Sequence, residues 1–244
     1  MSIAYWRPSY KCLYVISNIS GNISNLEIIS RRIFPPRIFK NQEDEYIFLG
    51  DYICYNNYSY EVLDKLIQLK ELYPDRIFFL KGKSEDLLLK CLDGKNLFDH
   101  FKENGGLAFI KSYIDKNKYN ININEININI LKSLIPTKHI EFLNSLLDYK
   151  QIDSTIFSNG LPNVSKLIKD NTSYDFIYGD KNYEDINNLF YVTNINKINT
   201  HIKDNVLYLS EGIKNTVLID YNSMKCMMVK NIKTKMYTHE LICL

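Results

Sequence analysis

The stretch Tyr46-Ile-Phe-Leu-Gly-Asp-Tyr-Ile-Cys-Tyr-Asn56 decides the fold. Its apolar run stops at Gly50-Asp51, a polar loop of Asn and Tyr follows, and Val62, Leu63, Leu66, Ile67 and Leu69 then recur at helical spacing. A short apolar run closed by Gly and Asp reads as a buried strand, and the recurrence after it as an amphipathic helix. The same unit stands on either side. Lys11-Cys-Leu-Tyr-Val-Ile16 stops at Ser17-Asn-Ile-Ser-Gly21, with Leu26, Ile28, Ile29 and Ile33 behind it. Arg76-Ile-Phe-Phe-Leu80 runs into Gly82, and Leu87, Leu88 and Leu89 open another helix. Three buried strands joined by helical crossovers predict a mostly parallel sheet. The strand C-terminal ends of such a sheet converge on one edge, where ligands bind.

Further along, the pattern changes twice. From about 93 to 150 the chain reads as helical: Leu97 to Phe101, Leu107 to Ile114 after Gly105-Gly106, and a helix started by Pro136. Between them, Asn120-Ile-Asn-Ile-Asn-Glu-Ile-Asn-Ile-Asn-Ile130 alternates with a strand's period, although its position between helices argues against a strand. From Ser154 onward come short strands: Thr155 to Phe157, Asp175 to Tyr178, Phe190 to Val192, Val206 to Leu209, Thr216 to Asp220 and Lys225 to Val229. Strands this short and frequent predict a second sheet packed on the first. No linker-like run separates the parts. The expectation is one domain over 1–244, with a βαβ part at about 11–92, a helical insert at about 93–150 and a second-sheet part at about 151–230.

Composition narrows the function classes. With 244 residues, 45% hydrophobic and 24% charged, the chain is neither disordered nor collagen-like. The net charge is +2, with no basic stripe, so nothing points to nucleic acid. No run approaches the roughly 20 apolar residues that span a bilayer. Met1 to Tyr10 lacks the order of a signal peptide, and a cytoplasmic protein is expected. The five cysteines, Cys12, Cys54, Cys91, Cys226 and Cys243, fit neither a disulfide framework nor a metal knuckle and read as buried thiols.

Five stretches carry a resemblance: Ser17-Asn-Ile-Ser-Gly21, Gly50-Asp-Tyr-Ile-Cys-Tyr-Asn56, Gly82-Lys-Ser-Glu85, Ser158-Asn-Gly160 and Thr193-Asn-Ile195. In order and spacing they resemble the GDxHG, GDxxDRG, GNHE, HAG and GHT blocks of the calcineurin-like metallophosphoesterases, in the branch of phosphoprotein phosphatases, bacterial and phage serine/threonine phosphatases and diadenosine-tetraphosphate hydrolases. The likeness continues through Asn104-Gly-Gly106, Ser112-Tyr113, Ile135-Pro136 with His139, and a closing hairpin from Leu209-Ser-Glu-Gly212 to Ile219-Asp220. It covers about Cys12 to Val229 and implies an α/β fold of two β-sheets in a sandwich flanked by helices.

The resemblance also implies a chemistry that these residues do not support. The family uses a dinuclear Mn, Fe or Zn centre that generates hydroxide, and a nearby His protonates the leaving alcohol. Its first Asp falls on Asn18 and its first His on Ser20, whereas the bridging Asp is kept as Asp51. The Asn ligand falls on Lys83, the catalytic His on Ser84, and the later His ligands on Ser158 and Asn194, with Thr193 and Asn196 as near alternatives. Cys54 and Tyr55 stand where the family has an Asp and a phosphate-binding Arg. Asn and Ser are weak neutral ligands, and Lys83 puts an ammonium where a dication belongs. One carboxylate cannot offset two adjacent dications. The expectation is a dead metal site with no cofactor: a pseudophosphatase that works by binding a protein partner.

Two rival readings stay open. One is a divergent phosphoesterase holding a single metal through Asp51, Asn18, Asn194 and water. The other is a metal-free phosphate or nucleotide binder, with Lys83 and loop N–H groups holding the anion. Among the remaining polar residues, His139 reads as a surface or capping histidine, Glu85 as a carboxylate favouring a helix N-terminus, and Cys54 as a packed thiol. Tyr52, Tyr55, Tyr58 and Tyr60 are candidates for an aromatic recognition surface. An ion pair of Lys83 with Asp51 is expected to replace the metals' charge.

Overall fold

The computed structural model describes residues 12–34, 44–152, 155–179, 190–194, 201–203, 206–209, 216–220, 225–228 and 241–243. Met1 to Tyr10, Asn196, Gly212 and His239 lie outside them, as do the side chains of Cys12, His201, Cys226 and Cys243.

The three expected βα units are present: β1 (Cys12–Ile16) with α1 (Ile23–Ile33), β2 (Glu45–Phe48) with α2 (Ser59–Leu72), and β3 (Ile77–Phe79) with α3 (Lys83–Leu92). Two of these helices start at a chemically defined point. Asn22 caps α1 by accepting from Asn25 N at 3.0 Å, and the Glu85 carboxylate turns back onto the Gly82 N–H at the start of α3. The insert follows as α4 (Phe98–Phe101), α5 (Leu107–Asn117), α6 (Ile128–Leu134) and α7 (Thr137–Asn144). The Ile-Asn alternation is not a strand. Asn122 Oδ1 accepts from Asn124 N, and Asn127 Oδ1 accepts from Asn129 N and Ile130 N, so two asparagines cap a 3-10 turn and α6. Local side-chain bonding overrides the period of two.

The second half contains β4 (Tyr149–Ile152), β5 (Thr155–Ser158), α8 (Ser173–Tyr178), β6 (Phe190–Asn194), β7 (His201–Lys203), β8 (Val206–Leu209), β9 (Thr216–Asp220), β10 (Lys225–Met228) and β11 (Leu241–Cys243). The expected strand from Asp175 to Tyr178 is the helix α8. Thr172 and Asp175 form a capping box, and that start signal outweighs the β-propensity of Phe176, Ile177 and Tyr178.

Two sheets result, and their membership corrects one expectation. The first has the order β11-β10-β9-β1-β2-β3, parallel through β1, β2 and β3 and antiparallel beyond β1. The second has the order β4-β5-β6-β8-β7, with β5, β6 and β8 parallel. Thus β9 and β10, expected in the second-sheet part, extend the first sheet beside β1. Sequence periodicity marks a strand without naming its neighbour.

Strand parity sorts the apolar residues into three layers. Ile16, Tyr46, Phe48 and Phe79 meet α1, α2, α3, α5 and α7 in the largest core. Leu13, Val15, Ile47 and Leu49 face Phe157 and Val192 across the sandwich. Ile156 and Tyr191 point to the outer face of the second sheet, where Phe176 of α8 covers them. The same parity determines which residues beyond the strand ends turn into the cleft.

Candidate functional site

The loops after β1, β2 and β3 are bound into one unit by a single buried carboxylate. Glu85 is 0% exposed and accepts four backbone N–H groups: Gly82 and Asp51 on Oε2, both at 2.9 Å, and Tyr52 and Ile53 on Oε1, at 2.8 and 3.2 Å. Burial first, and then the charge of Asp51, push its pKa up to about 8 against the pull of those N–H groups. The favourable helix-start role holds, and the loop after β2 is assembled around the same group. The fit is tight: a Cβ on Gly82 would stand 2.1 Å from Asp51 N, and one on Gly50, at φ +100, would stand 2.5 Å from Gly82 N.

Asp51 sits at the centre, with φ +55. Its carbonyl accepts from Ile19 N at 3.1 Å and Ser20 N at 2.8 Å, joining the first loop to the second. Its carboxylate accepts from Ser84 N on Oδ1 at 3.1 Å and from Asn159 Nδ2 on Oδ2 at 2.9 Å. Lys83 is exposed and makes no ion pair with Asp51. As the first residue of α3 it points to solvent, and the helix N–H of Ser84 stands in its place against the carboxylate.

The other expected positions divide. Asn18 is buried at the end of β1. Ser20, at φ 50, takes the Asn56 amide on its carbonyl at 2.8 Å. Ser158 is buried but turned away: its hydroxyl donates to Gly160 O at 2.7 Å. Asn159 faces Asp51 instead. Asn194 turns the same way, with Nδ2 3.3 Å from Leu49 O, while Thr193 bonds its hydroxyl to Asn159 O. Asn159 went unnoticed in the motif reading, although the parity of Phe157, which faces the first sheet, carries through to residue 159. The Oδ1 atoms of Asn159 and Asn194 are buried without a hydrogen-bond partner among the described residues.

Of the remaining candidates, Tyr52 and Cys54 belong to the second loop of this cluster. His139 corrects the surface expectation: it is 0% exposed, with Nε2 2.9 Å from Asp64 Oδ1 and Nδ1 2.7 Å from the Tyr113 hydroxyl. Asp64 only accepts, so Nε2 carries the hydrogen and Tyr113 donates to Nδ1. Burial holds His139 below its ordinary value. The thiols of Cys54 and Cys91 are free and buried, and burial raises both; for Cys54 the charges of Glu85 and Asp51 add to it. Of the tyrosines, Tyr52 is buried and Tyr60 packs on His139, whereas Tyr55 and Tyr58 are 61% and 54% exposed. His100 is an exposed neighbour of Asn104.

Comparisons with known proteins bear on the architecture. No protein-family model matches the chain. A structure described as that of a diadenosine tetraphosphatase superposes with a TM-score of 0.61, covering 94% of this chain and 97% of that one at 12% identity. The chain has the calcineurin-like metallophosphoesterase fold. A metallophosphoesterase from Sphaerobacter thermophilus (TM-score 0.50, 9% identity, 88% of this chain and 86% of that one) agrees. So does the cold-active protein-tyrosine phosphatase of a psychrophilic Shewanella (TM-score 0.61, 12% identity, 96% and 80%). In sequence, 72 residues are 36% identical to the serine/threonine-protein phosphatase PP2A-like PPG1 of Candida albicans; they span 29% of this chain and 16% of that relative.

The donor set does not fit the metal pair of the metallophosphoesterase fold. Among the described residues no group of three His, Cys, Asp or Glu side chains could hold a metal ion. The one carboxylate at the centre already accepts an N–H on each oxygen, and around it stand amides, hydroxyls and an ammonium turned to solvent. Also among the described residues, no helix is long and apolar enough to cross a membrane.

Proposed function

We propose that this chain is a pseudophosphatase, a phosphatase-like protein that has given up metal-dependent hydrolysis and acts as a binding or regulatory module for a protein partner. The observation that carries the reading is the state of Asp51. Its oxygens are engaged by the Ser84 N–H and the Asn159 amide, and the position of the family's leaving-group acid is Ser84. Without an imidazole acid, a contribution of about 10²–10⁴-fold is missing from the rate. Exposed Tyr55 and Tyr58, in the loop that follows Asp51, are the aromatic surface on which we place the partner. Free, buried Cys54 and Cys91 suit a reducing compartment, and we assign the protein to the cytoplasm.

A single-metal phosphoesterase is the second reading, favoured by the unpartnered amide oxygens of Asn159 and Asn194. The anion-binding reading is weaker, because the loop N–H groups it needs are bonded to Glu85 and Asp51, both carboxylates.

The test is metal content by mass spectrometry after incubation with Mn²⁺, followed by hydrolysis assays on phosphopeptides and dinucleotides. Less than about a tenth of an equivalent of metal, with no turnover above the chelated control, is the expected result. One or two equivalents with turnover would establish the phosphoesterase instead. Phosphate-dependent thermal stabilisation in chelator would establish the anion binder.

A further inference from the structure

Asn159 stands where the open ends of both sheets meet Asp51, and its surroundings dictate how its amide is turned. Nδ2 lies 2.9 Å from Leu49 O and 2.9 Å from Asp51 Oδ2. Both neighbours are pure acceptors, so the NH₂ end must face them, and both of its hydrogens are used. The main chain is equally committed: Asn159 O accepts from Asn194 N at 3.1 Å and from the Thr193 hydroxyl at 2.7 Å. On the far side, Asp51 gathers Ile19 N, Ser20 N and Ser84 N. One contact therefore ties the ends of β1 and β2 and the start of α3 to the ends of β5 and β6. Among the described residues the other contacts between the sheets are chiefly apolar, from Leu13, Val15, Ile47, Phe157 and Val192, and such packing has no direction of its own. The Asn194 amide adds a longer bond to the same Leu49 carbonyl, at 3.3 Å, and the Lys150 ammonium lies over the Phe78 ring.

We propose that the Asn159 amide is a metal-free clamp between the sheets, with its two N–H groups taking the electrostatic place of a cation against the Asp51 carboxylate and the Leu49 carbonyl. An N–H bond to a charged carboxylate is among the stronger hydrogen bonds. A cation entering here would have to displace an NH₂ group already aimed at both acceptors, so clamp and metal exclude one another. The clamp rests on the geometry of residue 159 and stands whether or not the protein binds a partner.

A double-mutant cycle read by thermal denaturation tests it, using Asp51→Asn, Asn159→Asp and the two combined, each in chelator and in excess Mn²⁺. Asn159→Asp sets a second carboxylate against Asp51, and the melting temperature should drop by roughly 5–10 °C. The combined variant restores an amide facing a carboxylate, with sides exchanged, and should regain at least about half of that loss. Wild type should melt at the same temperature in chelator and in Mn²⁺. No recovery in the combined variant, or stabilisation of wild type by Mn²⁺, would overturn the clamp. Should Asn159→Asp fail to fold, Asn159→Ser replaces it: its cost should shrink by about half or more in the Asp51→Asn background, and equal costs in both backgrounds would sink the proposal.

Discussion

Glu85 shows how one side chain organises three loops. The N–H groups of Gly82, Asp51, Tyr52 and Ile53 have no other partner within reach, and a buried donor left unsatisfied costs about 1–3 kcal/mol. Truncation to Glu85→Ala should therefore lower unfolding free energy by at least about 3 kcal/mol in urea denaturation, well beyond the effect of an ordinary surface change. A loss below about 1 kcal/mol would mean that water replaces the carboxylate without penalty. Gly82 belongs to the same construction, because any side chain there meets the Asp51 backbone. Glu85 and the turn glycines are thus required by the path of the chain itself.

Among the elements, the packing of α2, α5 and α7 depends on a polar contact inside an apolar core. His139 of α7 lies between Asp64 of α2 and Tyr113 of α5, with the Tyr60 ring 4.9 Å away and Lys138 paired to Asp64 from the surface side. Burial pushes Asp64 up, but its bonds to Lys138 and His139 outweigh this and hold it below its ordinary value. Burial holds His139 below 6.5, so on acidification the unfolded chain takes up the proton first. The stability contributed by neutral His139 is present above that pH and is lost as pH falls toward the folded value. Wild type should lose melting temperature between about pH 7 and pH 5 more steeply than His139→Phe, which has no imidazole to protonate. Parallel curves for the two proteins would refute the linkage.

The whole molecule is a sandwich whose two sheets share one apolar layer. Phe157, buried in that layer, lies beside Val192 on the face of the second sheet that meets Leu13, Val15, Ile47 and Leu49 of the first. Phe157→Ala should cost about 3–5 kcal/mol and should separate the sheets without disturbing the helices around the first sheet. Retained far-ultraviolet dichroism with a lowered midpoint would bear this out; an unchanged midpoint would not. At this scale the cleft is a by-product of the fold, because strand ends from both sheets converge there whatever the side chains.

Much of this was readable from residue order. The apolar runs ending at Gly50-Asp51 and Gly82 marked β2, β3 and the helices behind them, because strand and helix periods are local properties of neighbouring residues. The absence of imidazole at Ser20 and Ser84 and of a carboxylate at Asn18 was equally plain, since chemistry is written in residue type. Other features needed contacts distant in sequence. The placement of β9 beside β1, the burial of His139 against Asp64, and the exchange of Ser158 for Asn159 at Asp51 all join residues separated by dozens of positions. Residue types state which interactions are available; only the folded chain brings a particular donor to a particular acceptor, because that pairing is selected by the packing of the rest.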